Sequence, residues 1–463
     1  MVELTGRSPR PPIAAAGEVF STFLRLGLVS FGGPTAHIGY FHTEFVERRA
    51  WLSAEAFGEL VALCQTLPGP ASSQLGFAIG LRRAGGLGAM AAFVGFTLPS
   101  AALMIAFAYG AQVLEGPILR GVVAGLMAVA VAVVAHAVVG MARALLAGWF
   151  AWMLAAGVAI VLLGVSVLGW GGTLVQPALI PLCAVVGWVG SGRGASGGVA
   201  GPDGAAATDM ANAAEHSEQS ELSGRPKHTE RTEHSGRPEQ SAPRAVQPVG
   251  GRARVAVSVG AGIASLVTLL VVLVAAPVFR AAEGSGVGAL VDVFSRAGAL
   301  VFGGGHAVLP LLEAGTVQSG WLSPGEFLAG YSLAQAVPGP MFSLAAYLGA
   351  LAEAGPGGVA GAIVAVLAIF APGFLLLVGV LPFWDALRQR PSFAAAVKGA
   401  GVAVVGILAA ALVHPIATGG LTSVWAALLA ALGFGMLWVK APPWLVVLMG
   451  AAVGAVAAVA GWE

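Results

Sequence analysis

The stretch Trp51–Pro70 decides the fold, and it reads W-L-S-A-E-A-F-G-E-L-V-A-L-C-Q-T-L-P-G-P. It occurs again 270 residues later, without a gap, at Trp321–Pro340, as W-L-S-P-G-E-F-L-A-G-Y-S-L-A-Q-A-V-P-G-P. Nine of the twenty positions are identical. Two unrelated apolar helices would not place Trp, Gln and two prolines in register. The chain therefore contains an internal repeat.

The repeat extends upstream of this stretch. Phe31–Pro34 reads F-G-G-P, and Phe302–Gly305 reads F-G-G-G. Six residues before each phenylalanine, the apolar segment carries an arginine: Arg25 in the first copy and Arg296 in the second. An arginine inside a span costs about 2.5–3.5 kcal/mol even on the insertion scale. Two arginines in matching positions therefore indicate a role for them.

The composition places both copies in a membrane. The chain has 463 residues, of which 57% are hydrophobic and 10% charged, and its mean hydropathy is +0.86. A soluble domain has about 25% charged residues. Continuous apolar runs such as 122–139 favour helices over the alternating strands of a barrel. We expect a lipid bilayer around the chain, and the net charge of +1 argues against nucleic acid as a partner.

The sequence thus predicts an all-α polytopic membrane protein with two homologous halves of about six spans each. The first half covers residues 1–190, and the second covers 281–463. The polar segment 191–254 has too few large apolar residues to form a core, so we expect a disordered cytoplasmic linker there. A connecting transmembrane helix at 255–280 follows it. About 13 spans result, some of them short or broken, and the extra helix inverts the second half relative to the first.

The distribution of charge between the loops supports this inversion. If the N-terminus is cytoplasmic, Arg83, the linker, Arg388 and Arg390 all fall inside, as the positive-inside rule requires. An upright second half would put the last two arginines outside. The same assignment leaves Arg48 and Arg49 outside, together with the C-terminus.

Two interpretations of the intramembrane arginines stay open. They bind an anion inside the membrane, or they form structural ion pairs or reach the interface with their long side chains. Asp292 lies four residues before Arg296, on the same helix face, and can neutralise it. Ser21 stands at the matching position before Arg25. We therefore expect two unequal sites.

The P-G-P triplets, Pro68–Pro70 and Pro338–Pro340, interrupt apolar segments. Proline ends one helix and can begin the next, so the N–H groups that follow each triplet are expected to point into the break. Helix N-termini with free N–H groups bind anions. Polar residues flank both breaks in register: Gln65, Gln335, Ser73 and Ser343. The alternative is a pair of interfacial turns without a ligand.

Other polar residues carry weaker signals. Glu59 is interpreted as a solvated or paired carboxylate, and His136 and His414 as hydrogen-bonded packing residues. His37 and His306 follow the glycine pairs but are out of register with each other. The chain has no P-loop, H-E-x-x-H or G-x-S-x-G motif. We therefore expect no catalytic residue, metal or cofactor, and a membrane-embedded enzyme is the remote alternative.

F-G-G-P after a short arginine-bearing helix, then W-L-S, then Q-x-x-P-G-P, each in two copies, resembles the chromate ion transporter family in its long-chain, two-domain form. The resemblance implies a protein of the bacterial cytoplasmic membrane that exports chromate and confers resistance to it. It also implies substrate-binding positions: Arg25, Gly32, Gly33, Gln65, Pro68, Gly69, Pro70, Arg296, Gly303, Gly304, Gln335, Pro338, Gly339 and Pro340.

Chromate is largely a dianion near neutral pH. Because the cytoplasm is electrically negative, moving two negative charges outward releases about 4.6 kcal/mol per 100 mV. We expect alternating access, with the two inverted halves rocking around a midplane site. Sulfate has the same shape and charge, so transport of sulfate, another oxyanion or a small carboxylate is the alternative. The coupling ion and the oligomeric state stay open, with protons and a homodimer as candidates.

Overall fold

The computed structural model describes residues 12–113, 116–168, 175–191, 257–283, 286–302 and 305–461. Every regular element within these ranges is helical. Seven helices there are long and apolar enough to cross a membrane, and three shorter apolar helices accompany them. The prediction of an all-α polytopic membrane protein is confirmed. The predicted linker lies almost wholly outside the described residues.

The helices of the first half are α1 Pro12–Val29, α2 Gly33–His42, α3 Ala54–Thr66, α4 Ala71–Val113, α5 Pro117–Leu145, α6 Trp149–Val167 and α7 Val175–Ser191. A π-helical turn, Thr43–Arg48, continues α2. The Ser53 hydroxyl caps α3 by accepting a hydrogen bond from Ala56 N at 3.2 Å, which satisfies one of the free N–H groups of the first turn.

The connecting helix is α8 Val259–Glu283. The second half contains α9 Val287–Leu300, α10 Val308–Thr316, α11 Pro324–Ala336, α12 Leu344–Leu351, α13 Gly358–Val380, α14 Trp384–Leu387, α15 Pro391–Ala411, α16 Thr418–Gly420, α17 Val424–Trp438 and α18 Pro443–Ala460. Short 3-10 turns at Gly305–Ala307 and Met341–Ser343 precede α10 and α12. A further 3-10 turn, Leu381–Phe383, precedes α14, and a π-helical segment, Leu412–Ala417, follows α15.

In the first half, α1 and α2 form one hairpin, and α3 and the first part of α4 form another. The open ends of both hairpins lie on the same face of the molecule. The backbone of α4 leaves the helical region at Ala84 and Gly85, so the helix turns back on itself there. Glu18 in α1 contacts Arg83 at this turn, at 3.0 Å, and Arg49 after α2, at 3.5 Å. The outer ends of α1, α2 and the first part of α4 therefore lie together.

This contact corrects one detail of the predicted topology. Arg83 was expected inside and Arg49 outside, on opposite faces of the membrane. A hydrocarbon core is about 30 Å thick, and one carboxylate cannot bind arginines on both of its sides. The assignment of Arg48 and Arg49 to the face opposite Arg83 is therefore wrong, because α1 does not cross but returns through α2.

The second half repeats the two hairpins. Arg280 at the end of α8 donates to Ser319 Oγ, after α10, at 3.3 Å. The Glu353 N–H, after α12, donates to the carbonyl of Trp321, before α11, at 3.4 Å. These contacts hold the ends of α8 and α10 together and those of α11 and α12 together, with residues that differ from those of the first half.

The long helices of each half pack against the last helices of the other half. Gly121 and Gly125 of α5 lie against Gly454 and Gly450 of α18, respectively, so close that a Cβ on any of the four would overlap its neighbour. Small residues allow such close approach between membrane helices. Because the paired numbers rise on α5 as they fall on α18, the two helices are antiparallel.

This packing establishes the inversion of the two halves. Within the first half, α5 and α7 run in the same direction, because α6 crosses once between them. The counterpart of α7 in the second half is α18, which runs against α5. The reciprocal pair, α7 and α15, is also antiparallel, since Gly187 lies against Ala395 and Cys183 against Gly399. The predicted inverted arrangement of the halves is therefore present.

Candidate functional site

The two P-G-P breaks meet the opposite half through a reciprocal pair of backbone hydrogen bonds. The Gly69 N–H donates to the carbonyl of Val301, after α9, at 2.7 Å, and the Gly339 N–H donates to the carbonyl of Ser30, after α1, at 2.9 Å. In each triplet, glycine supplies the N–H that its flanking prolines lack. We call this region the crossover, and it comprises residues 30, 37, 68–74, 97, 301 and 338–343.

Glycine is required at the centre of both triplets. Gly69 has φ +124° and Gly339 has φ +100°, values that L residues rarely adopt. A Cβ on Gly69 would lie 3.0 Å from Gly373 Cα, and one on Gly339 would lie 3.0 Å from Ser100 Oγ. Ser100 and Gly373 each follow a proline within a crossing helix. The breaks thus sit against the middle of α4 and α13.

The crossover contains buried polar groups without protein partners. The hydroxyls of Ser73 and Ser343, at matching positions of the repeat, are buried and have no hydrogen-bond partner among the described residues. Ser30 Oγ and Thr97 Oγ1 are in the same condition. An unpaired buried polar group costs about 1–3 kcal/mol, so such a group requires an explanation. A ligand that accepts hydrogen bonds would satisfy these hydroxyls.

The two breaks differ in the N–H groups they leave free. No described residue accepts from the N–H groups of Ala71, Ser72 or Ser73 at the start of α4. In the second half, a 3-10 turn follows the triplet, and the Ser343 N–H donates to the carbonyl of Pro340 at 2.9 Å. The first break therefore presents the more complete anion-binding N-terminus.

Two further residues belong to the crossover: His37, for which the sequence carried only a weak signal because it is out of register with His306, and Gln74, which was not predicted. His37 is fully buried, with Nδ1 3.2 Å from Ser72 Oγ and Nε2 3.2 Å from the carbonyl of Ser30. Gln74 donates through Nε2 to the carbonyls of Pro68, at 3.0 Å, and Gly373, at 2.9 Å. Gln74 aligns with Leu344 in the repeat, so register could not reveal it.

The glutamines predicted from the repeat lie at the edge of the crossover. Gln65 is exposed, and Gln335 donates to the sulfur of Met341 at 2.8 Å. Gly32 and Gly33, with φ of +100° and +75°, turn the chain from α1 into α2. Their counterparts Gly303 and Gly304 lie outside the described residues.

Arg25 lies between the crossover and the end of α1 where Glu18 contacts Arg49 and Arg83. It precedes Ser30 by five residues, which is about 8 Å along a helix. Its side chain is 57% exposed, and Nη2 lies 3.8 Å from the buried Glu44 carboxylate. Arg48 and Arg49 share this carboxylate at 3.2 and 2.6 Å. The described contacts thus join Arg25 to Glu44, and three guanidinium groups surround one negative charge.

Arg296 occupies the matching position in the second half, five residues before Val301. Asp292 is fully buried and pairs with Arg296, as the sequence predicted, and also with Arg280 at 3.2 Å. Arg25 and Arg296 thus both have a carboxylate partner. The sequence revealed only Asp292, because Glu44 reaches Arg25 from the neighbouring π-helical turn.

Glu59, His136 and His414 pack or pair as predicted. Glu59 is 65% exposed and lies 3.6 Å from Arg388. His414 lies 3.2 Å from Ser166 Oγ, and His136 contacts the ring of Phe434. His306 Nδ1 lies 2.6 Å from the Tyr331 hydroxyl. Among the described residues, it makes no hydrogen bond to the crossover.

Three named proteins are similar in sequence to this chain over most of its length. The chain is 27% identical over 405 residues to a probable chromate transport protein of Synechococcus elongatus, which covers 87% of this chain and 85% of that protein. Chromate transport proteins of Pseudomonas aeruginosa and Cupriavidus metallidurans are 25% and 26% identical, over 86% and 88% of this chain and 81% and 87% of theirs. No solved structure matches the chain.

The model of the chromate transporter family matches each half once, over residues 17–188 and 288–455. Both matches include an arginine-bearing first helix and a P-G-P break, the elements that meet at the crossover. These matches together span well over half of the sequence. The chain therefore belongs to the chromate transporter family.

Proposed function

We propose that the protein exports chromate across the bacterial cytoplasmic membrane by alternating access and thereby confers chromate resistance. The observation that carries the proposal is the crossover, where two helix breaks from inverted halves meet around buried hydroxyls that lack partners. Broken backbone at membrane depth is tolerated only where it is buried in protein or lines a cavity. Free N–H and O–H donors suit an anion that carries only acceptor oxygens.

The arginines extend this site toward both faces. Arg25 lies between the crossover and the contact of Glu18 with Arg49 and Arg83, which marks one outer face. Arg296 lies between the crossover and the opposite outer end, where Arg280 meets Ser319. A dianion would therefore encounter a guanidinium group on either side of the central donors, and each would lower the cost of leaving water.

The orientation follows from the basic residues. With Arg48, Arg49 and Arg83 on one face, the positive-inside rule places that face in the cytoplasm. The N-terminus and the linker are then cytoplasmic, and the C-terminus is outside. Two negative charges moving outward down a potential of 100 mV release about 4.6 kcal/mol, so the membrane potential favours export.

Alternating access is supported by the way the halves share the crossover. Each half supplies one N–H donor and one carbonyl acceptor to the reciprocal pair, so a rocking motion that breaks one contact opens the site to one side. The inverted counterpart of that motion would break the other contact and open the site to the other side. The path from the crossover to each face of the membrane would then be exposed in turn.

Chromate flux into everted vesicles under an imposed potential tests this function. We expect accumulation when the lumen is positive, which is the polarity of export, and a marked loss in the Arg25→Ala variant. A parallel run with a pH gradient tests protons as the coupling ion. Equal flux in vesicles with and without the protein would contradict transport, and wild-type flux in Arg25→Ala would contradict the role of this arginine.

Sulfate is the second candidate substrate, because N–H, O–H and guanidinium donors recognise tetrahedral dianions whatever their central atom. Competition decides between the two. Chromate as the substrate requires that excess sulfate reduce chromate flux only weakly, whereas equal inhibition by sulfate and by unlabelled chromate would point to a general oxyanion transporter.

A further inference from the structure

A pocket lies beside the second-half arginine, and its lining extends to Leu300, the neighbour of Val301 in the crossover. Helix α7 of the first half contributes Gln176 and Pro177 to its wall, α8 contributes Arg280, and α9 contributes Arg296. The rest of the lining is apolar and comes from α9 and α10. The pocket therefore joins both halves and the connecting helix around two guanidinium groups.

The charges of this pocket do not balance. Arg280 and Arg296 bind the same oxygen, Oδ2, of Asp292, whose side chain is fully buried. Two positive groups thus share one negative group, which leaves a net charge of about +1 in an apolar surrounding. Glu313 is on α10 but does not line the pocket, and its carboxylate accepts from Gln318 at 3.0 Å.

The two guanidinium groups also keep unused donors. Arg280 donates to Asp292 and to Ser319 Oγ, and Arg296 donates to Asp292, while each guanidinium has about five N–H groups. Both side chains are partly exposed, 28% for Arg280 and 26% for Arg296. The ring of Trp321, 5.6 Å from the Arg280 guanidinium carbon, helps to hold that group in place.

Gln176 faces the same pocket with an unsatisfied side chain. Its Oε1 is buried and has no partner among the described residues. Rotation of the amide would place its NH₂ group there instead, as a further donor for an oxyanion. A ligand with several acceptor oxygens and more than one negative charge would satisfy the arginines and the amide together.

We propose that this pocket is a second oxyanion site, in which Arg280 and Arg296 together bind a doubly charged tetrahedral anion at the outer end of the transport path. The placement at the outer end rests on the proposed function. The site would hold the anion between the crossover and the outer solution, and the same guanidinium groups would receive it again if transport ran in reverse.

Equilibrium binding of radiolabelled chromate to the purified full-length protein tests the proposal. The Ser73→Ala, Ser343→Ala double variant weakens the crossover and serves as the parent, so that its remaining binding reports on the pocket. Adding Arg280→Gln should weaken this remaining binding roughly ten- to hundred-fold, the worth of hydrogen bonds to a charged group. Arg280→Lys keeps the charge but loses the planar fork, so its chromate affinity should lie between that of the parent and that of Arg280→Gln.

Arg120→Gln is the matched control, because Arg120 is exposed at the start of α5 and its replacement removes the same charge. The proposal is overturned if Arg280→Gln binds chromate like its parent, or if Arg120→Gln weakens binding equally. Gel filtration of every variant separates a lost site from a lost fold. Failure of the proposed function gives a different result, namely binding without any flux in vesicles.

Discussion

At the scale of single residues, the hydroxyl groups of the crossover differ from other buried hydroxyls because they lack hydrogen-bond partners among the described residues. Ser73 and Ser343 are buried without a partner, whereas Ser332, also buried, donates to the carbonyl of Leu126 at 2.6 Å. The same residue type thus occurs in two conditions within one membrane protein. A hydroxyl that already has a partner contributes to stability, and one that has none is available to a ligand.

Replacing Ser73 or Ser343 should therefore lower transport without lowering stability, whereas replacing Ser332 should lower stability without lowering transport. We expect Ser73→Ala and Ser343→Ala each to lower chromate flux about ten-fold, the loss of one hydrogen bond to a charged ligand, with no loss of thermal stability. Ser332→Ala should lose about 1 kcal/mol of stability and keep its flux. Flux assays and melting curves on the same preparations check both statements, and wild-type flux in both serine variants would remove the crossover from the transport path.

Apart from Asp292, which its spacing from Arg296 revealed, the sequence identified mainly residues that the repeat holds in register. Ser73 and Ser343 align, as do Arg25 and Arg296 relative to the phenylalanines of their motifs, and all four were predicted. Gln74 and Glu44 were missed, since Gln74 aligns with Leu344 and Glu44, in the register of the two arginines, with Gly315. Their roles depend on contacts with other helices, namely the carbonyl of Gly373 and the guanidinium group of Arg25, which spacing along the chain cannot show.

At the scale of elements, length explains why the helix before each P-G-P triplet does not cross. Helices α3 and α11 have 13 residues each, which is about 20 Å at 1.5 Å per residue, less than the hydrocarbon thickness of about 30 Å. Hydropathy joined each of them to the helix after the break, because it detects apolar composition and not the reversal of direction. The P-G-P triplets predicted the break itself, and the contacts of Arg83 revealed the return.

The glycines of the breaks should be intolerant of side chains. Gly69→Ala and Gly339→Ala place a Cβ at positive φ and against the opposite half, so each should lose about 1–2 kcal/mol from the backbone alone and more from the overlap. Gly140→Ala in α5 is the matched control, because a Cβ there meets nothing within 4 Å. Melting temperatures check the difference, and equal stability of all three variants would contradict the packing at the crossover.

At the scale of the whole molecule, the two halves are interlocked. The last helices of each half pack on the long helix of the other, α18 on α5 and α7 on α15, and Phe77 of the first half stacks on Phe374 of the second at 4.4 Å. The repeat and the odd connecting helix predicted the inversion, because both are visible in the sequence. The exchange of helices was not predictable, since glycines such as Gly125 do not specify which partner they approach.

Labelling with a membrane-impermeant thiol reagent checks this arrangement. After replacement of the two buried cysteines, Cys64 and Cys183, Arg48→Cys and Arg83→Cys should react from the same face. Gln318→Cys, at the outer end of the second-half hairpin, should react from the opposite face. Reaction of the two arginine positions from different faces would contradict the hairpin of α1 and α2.

The reciprocal hydrogen bonds at Gly69 and Gly339 have a consequence for how the pathway can evolve. A pair of identical subunits around a twofold axis must carry the same groups at both entrances, because every substitution appears twice. Fusion of both copies into one polypeptide removes that constraint while the central contacts stay paired. At one entrance, Arg48 and Arg49 bind Glu44, and at the other, Arg280 of the connecting helix binds Asp292. The two entrances therefore offer a dianion different groups, whereas two identical subunits would present the same groups at both.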